Sequence, residues 1–326
     1  GDYNNPASLN KYLYGYGNPG TFVDPDGRYA ESGHYYTVFL AAKAAGYETN
    51  RALKIALYAQ LPDEVGSLDA INQQVANVTG SNGLNEYNLK QPISPGQQYI
   101  GSAQVETKWV PNELSRDNVQ RGIHQLTGGG SVSGTNRSRR ALTSAKSDEA
   151  AGIAAHGLGD SYSHRRIGNE NNLYGTGAGH LMDGTDPDMI VRRPELYGAY
   201  VKDLVKALAK RRGVSMSDES AEAFAASMVK MTEEPLNDAR SKLDRGTYGT
   251  SKPISSDTQG TVMIEAERRL GLAIKKRAQG VITEAESSQG VVLLSPEAAE
   301  TGVFGGTAGH EQRQLNNFWK ESLPEG

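Results

Sequence analysis

The stretch Ala154–His164, AAHGLGDSYSH, combines reactive side chains with regular spacing: His156, Asp160 and His164 stand four residues apart. On an α-helix each step of four advances the side chain by only ~40° around the axis, so all three share one face. Two imidazoles flanking a carboxylate suit a borderline-soft divalent cation, zinc above all. The chain holds six histidines, His34, His124, His156, His164, His180 and His310, and three of them fall within twenty-five residues. A lone histidine is usually a surface or core residue, and His310 reads that way. Gly157 and Gly159 interrupt the same stretch. A glycine inside a helix costs ~1 kcal/mol against alanine, so a pair of them implies that a helix or a ligand approaches the backbone closely.

Composition bounds what else the chain can be. Its 326 residues can bury a sizeable core, in one domain or two. Hydrophobic content is 37%, and 38 glycines point to extensive loops. A net charge of −4 gives no global basic field to attract nucleic acid, although bound divalent ions would reverse the sign locally. With no cysteine there is neither a disulfide partner nor a thiolate ligand, so any metal is held by histidines and carboxylates. No apolar run approaches the ~18 residues of a membrane span, and no signal peptide is present. Gly-Asp-Tyr-Asn-Asn is no natural start, and the chain reads as the C-terminal part of something longer.

The elements that must position the strip are mostly helical. Residues 1–28 are turns joining short Tyr-rich strands. HYYTVFLAAKAAGY has apolar residues at helical spacing from His34, with Gly46 as a stop. Thr49 or Asn50 caps a second helix, which Pro62 kinks or ends, leaving Asp63 at its end. SLDAINQQVANV is a third helix, and 79–112 a long loop, followed by a helix over 112–126 that carries His124. Residues 127–138, TGGGSVSGTNRS, read as a flexible Gly/Ser stretch. Residues 139–164 are one long helix or two, and 165–194 a loop containing His180. Amphipathic helices follow at about 195–212, 217–244, 260–282 and 309–322, with no further site signal.

SLNKYLYGYGNPGTFVDPDG, within residues 1–28, resembles the end of the Rhs/YD-repeat core, the segment that closes a large β-shell and precedes a variable C-terminal toxin. In that family an Asp-Pro-x-Gly motif takes part in autoproteolysis. Asp24-Pro25-Asp26-Gly27 matches it, with the scissile bond just after Gly27. The resemblance implies a toxin domain over residues 29–326, delivered into a target cell by type VI or related secretion. Its implied partners are the Rhs shell and a cognate immunity protein.

A second resemblance covers about residues 33–210. The order His34, Asp63, His124, then His156-x3-Asp160-x3-His164, then His180 and an acid, is similar to the ligand order of the zinc-dependent phospholipase C and fungal zinc-nuclease superfamily. This resemblance implies an all-α, multi-helix bundle whose ligands are His34, Asp63, His124, His156, Asp160, His164 and His180. Beyond the resemblance, the later amphipathic helices read as a helical extension over 211–326. The acid that follows the last histidine by four residues in the family is Gly184 here, so Asp183 and Asp188 are the substitutes, Asp188 preferred. No tryptophan lies near His34 to supply the N-terminal ligands of the phospholipases. Two zinc ions are therefore expected, three if side chains alone complete the third site.

Clustered zinc lowers the pKa of a bound water toward neutrality and neutralises phosphate oxygens, so the resemblance implies a phosphodiester substrate, phospholipid or nucleic acid. Asp63 and Asp160 are the candidate catalytic carboxylates, Asp63 as ligand and proton acceptor. Arg165, Arg166, Arg192 and Arg193 lie near the ligand segments, as phosphate binders or as solvated helix ends. Phospholipase C-like hydrolysis is the expectation. The alternatives are a nuclease of the same superfamily, and a non-enzymatic toxin that permeabilises membranes through its amphipathic C-terminal helices around a structural metal.

Overall fold

A computed structural model describes residues 32–64, 119–176, 183, 186–245 and 256–288 of the chain, and within them it is helical apart from one short hairpin. The expected Rhs-like segment, the helices at 67–78 and 309–322, His180 and His310 lie outside the described residues, as do Asp24, Asp26 and Gly27 of the cleavage-type motif.

The helix α4 (Asp148–Ser163) is the axis of the fold. Ser147 caps it, its side chain accepting from the amide of Ala150, and Asp148 and Glu149 sit in the first turn, where the helix dipole favours acids. Every residue from Glu149 to Ser163 is buried. A helix buried on all faces needs neighbours on all faces, and small residues let them come near. A side-chain carbon on Gly152 would stand 2.4 Å from the carbonyl oxygen of Ile55, so α2 (Thr49–Glu64) packs almost backbone to backbone against α4. On other sides lie α3 (Ser131–Ser144) and α5 (Pro194–Arg211). Before α2 comes α1 (Thr37–Ala44), preceded by a π-helical turn, Ser32–Tyr36. Gly46 ends α1 as expected. At φ +83° it takes the left-handed conformation of a Schellman cap, with Gly46 N donating to Lys43 O and Tyr47 N to Ala42 O. The core is filled by Tyr35, Phe39, Ile55, Ile153, Leu158, Tyr197 and Tyr200.

Three segments depart from the sequence expectation. The Gly/Ser stretch after Thr127 is largely helical, as the start of α3. Gly134, Thr135 and Ser138 face inward and are buried; Ser138 Oγ donates to Gly157 O (3.1 Å), and Thr135 Oγ1 pairs with Ser161 Oγ (3.1 Å). Tertiary contacts to α4 overrule the weak intrinsic helix propensity of Gly and Ser. The expected helix around His124 is, in its described part, a π-helical turn, Val119–Ile123, which ends in a reversal at Gln125, a non-glycine residue at φ +53°. The expected loop at 165–194 contains an antiparallel hairpin, β1 (Arg165–Arg166) and β2 (Asn169–Leu173), turned at Gly168, followed by two 3-10 turns, Asp186–Asp188 and Ile190–Arg192.

Beyond α5, α6 (Asp218–Arg245) and α7 (Ser256–Gln279) pack on each other, and a short α8 (Glu284–Ser288) follows. Far from being remote, α7 lies against the first π-turn and against the Ile190–Arg192 turn. No helix among the described residues is long and apolar enough to cross a membrane.

Candidate metal centre

Five chain segments bring buried histidines and aspartates together against α4. The first π-turn supplies His34, the end of α2 supplies Asp63, and the residue after the second π-turn is His124. From α4 come His156 and Asp160, with His164 at its C-cap, and the first 3-10 turn after the hairpin contributes Asp188. All seven are buried. Asp160 is the centre: its Oδ1 lies 3.1 Å from His34 Nε2, and its Oδ2 lies 3.0 Å from His124 Nδ1, 3.1 Å from His156 Nε2 and 3.8 Å from His164 Nδ1. Asp63 faces the group from the other side, 3.8 Å from His34 Nε2 and 3.9 Å from His156 Nε2. The rings of His34 and His156 stack at 4.1 Å, and His124 meets His156 edge-on at 4.8 Å. At the far end, His164 Nε2 lies 3.7 Å from Asp188 Oδ1.

The glycines of HGLGD have a local reason. A Cβ on Gly157 would stand 2.9 Å from the carbonyl oxygen of Ile123, the residue before His124, and a Cβ on Gly159 would stand 2.9 Å from His34 Cε1. Each glycine therefore admits a segment bearing a member of the cluster. The π-turns act similarly, since the wider turn re-aims the side chains at its end. The first is held by Thr37, whose hydroxyl donates to Ser32 O at 2.5 Å and is itself bonded to Tyr197 Oη at 2.8 Å.

Backbone carbonyls set which ring nitrogen faces the cluster. His156 Nδ1 lies 2.8 Å from Ala59 O, and His164 Nδ1 lies 2.5 Å from His124 O. A carbonyl can only accept, so in both rings the Nδ1 carries the proton, and in the neutral ring Nε2 is a lone pair turned inward. Burial pushes the His156 imidazole below its usual value against the opposing attraction of Asp160 and Asp63. Burial by itself would raise the Asp160 carboxyl. The imidazoles of His156 and His164 and hydrogen bonds from His124 and His156 more than reverse this, holding it well below the ordinary carboxylate range. His156 Nε2, Asp160 Oδ2 and His124 Nδ1 converge to within 3.1 Å of one another in a dry interior. Such a convergence needs a shared proton or a metal cation between its members.

The donor set fits a metal ion by this test. His34, His156 and Asp160 form one grouping whose ligand atoms lie within 4.8 Å of one another, and Asp63, His124 and His156 form another. The carbonyl-to-imidazole contacts are the outer-layer pattern that metal-bound histidines use to fix their tautomer. Of the two candidate acids, Asp188 reaches the cluster. Asp183 is exposed and accepts a 2.6 Å hydrogen bond from Tyr174 Oη. The arginines near the ligand segments spend donors on the fold: Arg165 on Ser161 O, Arg166 on Leu173 O, Arg192 on Asp186, and Arg193 on Ser163 O and Arg165 O. Sequence reasoning passed over Ala59 and, on α7, Glu267, and it read Arg193 as a phosphate binder or a solvated helix end rather than as a link between main-chain groups. A contact through a backbone carbonyl has no residue-type signature, and a single arginine or glutamate on an amphipathic helix looks like any solvated charge.

Fold and site together define an all-α protein with a buried His/Asp cluster that could hold a metal ion. Comparison of the chain with protein-family models, with curated proteins and with solved structures finds no match.

Proposed function

We propose that the protein is a zinc-dependent phosphodiester hydrolase, phospholipase C-like, serving as the toxin module of an Rhs-type effector with a cognate immunity partner. The observation that carries the metal part is the buried convergence of His156 Nε2, Asp160 Oδ2 and His124 Nδ1 to within 3.1 Å of one another. The phosphodiester part rests on the ordered resemblance of the ligands to the zinc phospholipase and nuclease superfamily. His34, His156 and Asp160 would hold one ion, Asp63 and His124 a second, and His164 with Asp188 a third or a share of one. Clustered divalent ions, when bound, lower the pKa of a water and neutralise phosphate oxygens. The chain's own residues do the rest. Ala59 O and His124 O hold the rings of His156 and His164 in one tautomer, and the surrounding core excludes bulk water. Asp63, at the periphery of the group, is placed to accept a proton from the attacking water.

Phospholipid is the preferred substrate over nucleic acid because the chain is acidic and lacks a basic, aromatic-studded groove in its sequence. The permeabilising alternative is disfavoured by packing: the apolar stripes of α6 and α7, including Met228, Leu270 and Ile274, are buried in the core. The test is to incubate the zinc-loaded protein with phosphatidylcholine vesicles and, in parallel, with DNA and RNA. Release of a phosphorylated headgroup supports the reading; cleavage of nucleic acid alone replaces it with the nuclease. Hydrolysis of neither by a zinc-loaded protein overturns the enzymatic reading.

A further inference from the structure

The two members at the far end of the cluster, His164 and Asp188, sit on different segments. His164 is the C-cap of α4, where the helix hands over to the hairpin. Asp188 ends a three-residue 3-10 turn. His164 Nε2 and Asp188 Oδ1 stand 3.7 Å apart. One side chain links the two segments. Arg193 closes the Asp186–Arg193 stretch that bears Asp188, and its Nη1 donates to Ser163 O at 2.8 Å and to Arg165 O at 2.7 Å. Those carbonyls belong to the residues immediately before and after His164. Arg193 Nη2 also reaches Glu170 Oε1 on β2 at 3.3 Å, and the side chain is 11% exposed.

We propose that Arg193 is a positioning residue for metal at the His164–Asp188 pole, a brace that sets the distance between these two ligands. The inference rests on the reading of the cluster as a metal centre. The planar fork of a guanidinium can hold two carbonyls and a carboxylate in fixed relation, which a single ammonium on a flexible stem cannot. From the other side, the buried Glu267 of α7 accepts the amide of Val191 at 2.9 Å. The chain just after Asp188 is thus held on two sides, by Arg193 to the end of α4 and by Glu267 to α7. Residues that orient ligands from the second layer typically affect metal affinity by about 10–100-fold when removed.

The experiment measures zinc affinity and stoichiometry, by competition with a chromophoric chelator, for wild type, Arg193→Ala, Arg193→Lys, Asp188→Ala and the double variant Arg193→Ala/Asp188→Ala. Arg193→Ala should weaken the most weakly held ion by about 10–100-fold and leave the tighter site within about twofold. Arg193→Lys should restore part of the loss. In the Asp188→Ala background, Arg193→Ala should cause no further loss, since a brace has nothing left to position. Additive losses would overturn the proposal, because a general structural role weakens binding whether or not Asp188 is there. Should Arg193→Ala not fold, the same cycle with Arg193→Lys decides: additivity again refutes the brace. A wild type that binds no zinc refutes the metal reading itself, whereas wild-type binding unchanged in Arg193→Ala refutes the brace alone.

Discussion

His156 Nδ1 stands 2.8 Å from the carbonyl oxygen of Ala59, a residue ninety-seven positions earlier on the neighbouring helix. This contact places a proton on Nδ1 of the most buried ring of the cluster and turns its Nε2 toward Asp160. Close packing of α2 on α4 at Gly152 makes the contact available, so a glycine one turn from the site helps determine which nitrogen faces the metal.

If the converging ligand atoms hold metal in the native protein, chelation should destabilise it. Melting temperature should fall on dialysis against a strong chelator and return on adding zinc. An ion present at a hundred times its dissociation constant contributes about 2.7 kcal/mol. Thermal denaturation monitored by circular dichroism, with and without metal, checks this; an unchanged melting temperature speaks against occupancy of the cluster.

Gly159→Ala separates helix propensity from site geometry. Propensity alone favours alanine by ~1 kcal/mol. Yet the new carbon would lie 2.9 Å from His34 Cε1 and 3.3 Å from Tyr200 Cζ, in a core where both rings are held. The variant should fold, gain little or no stability, and lose metal affinity by at least about tenfold. Gly157→Ala, whose carbon meets the main-chain oxygen of Ile123, should cost about 1–3 kcal/mol because a backbone cannot swing aside. Chemical denaturation and zinc titration of both variants read the two effects apart.

Asp188 and Asp183 should differ sharply. Asp188→Ala removes a buried carboxylate that faces His164 and should weaken metal binding by more than about tenfold. Asp183→Ala loses only the hydrogen bond from Tyr174 Oη and should leave binding within about twofold, as should Tyr174→Phe. Equal losses at the two positions would return Asp183 to the ligand set.

The buried Glu267 predicts a pH dependence of stability. Burial raises its carboxyl from the ordinary 4.5 to about 7, against the amides of Val191 and Ile190, which favour the ionised form; Tyr197 is the titratable neighbour facing it. Between those values the folded state holds a proton that the unfolded state has lost. Stability therefore falls as pH rises from about 4.5 to about 7 and is level above that. A shift of this size is worth on the order of 3 kcal/mol. Glu267→Gln cannot ionise, so it should flatten that part of the curve and be the more stable protein at pH 8. Urea unfolding at pH 5 and pH 8 reads this directly, and parallel curves for the two proteins would contradict it.

Much of this site is written in the residues of α4. A four-residue spacing of His156, Asp160 and His164 survives any helical register, and two glycines beside them announce close approach, here of Ile123 O and the ring of His34. The histidine order along the chain could be read because histidine is rare, six in 326 residues. What could not be read is how the donors are aimed. Neither π-turn has a sequence signature, since a π-turn differs from an α-turn only in which carbonyl each amide selects. The Gly/Ser stretch became α3 because Thr135 and Ser138 find hydroxyl and carbonyl partners on α4, partners that exist only in the folded core. Arg193 and Glu267 act through main-chain groups, so no pairing of residue types reveals them.

The most direct test of the central claim is the metal content of the natively purified protein, measured by inductively coupled plasma mass spectrometry beside that of Asp160→Ala, whose substitution removes the carboxylate shared by four imidazoles. The account predicts two or more zinc ions per chain in the wild type and loss of at least one in the variant. A wild type free of bound transition metal even after reconstitution with zinc, or a variant that binds as much as wild type, would contradict it.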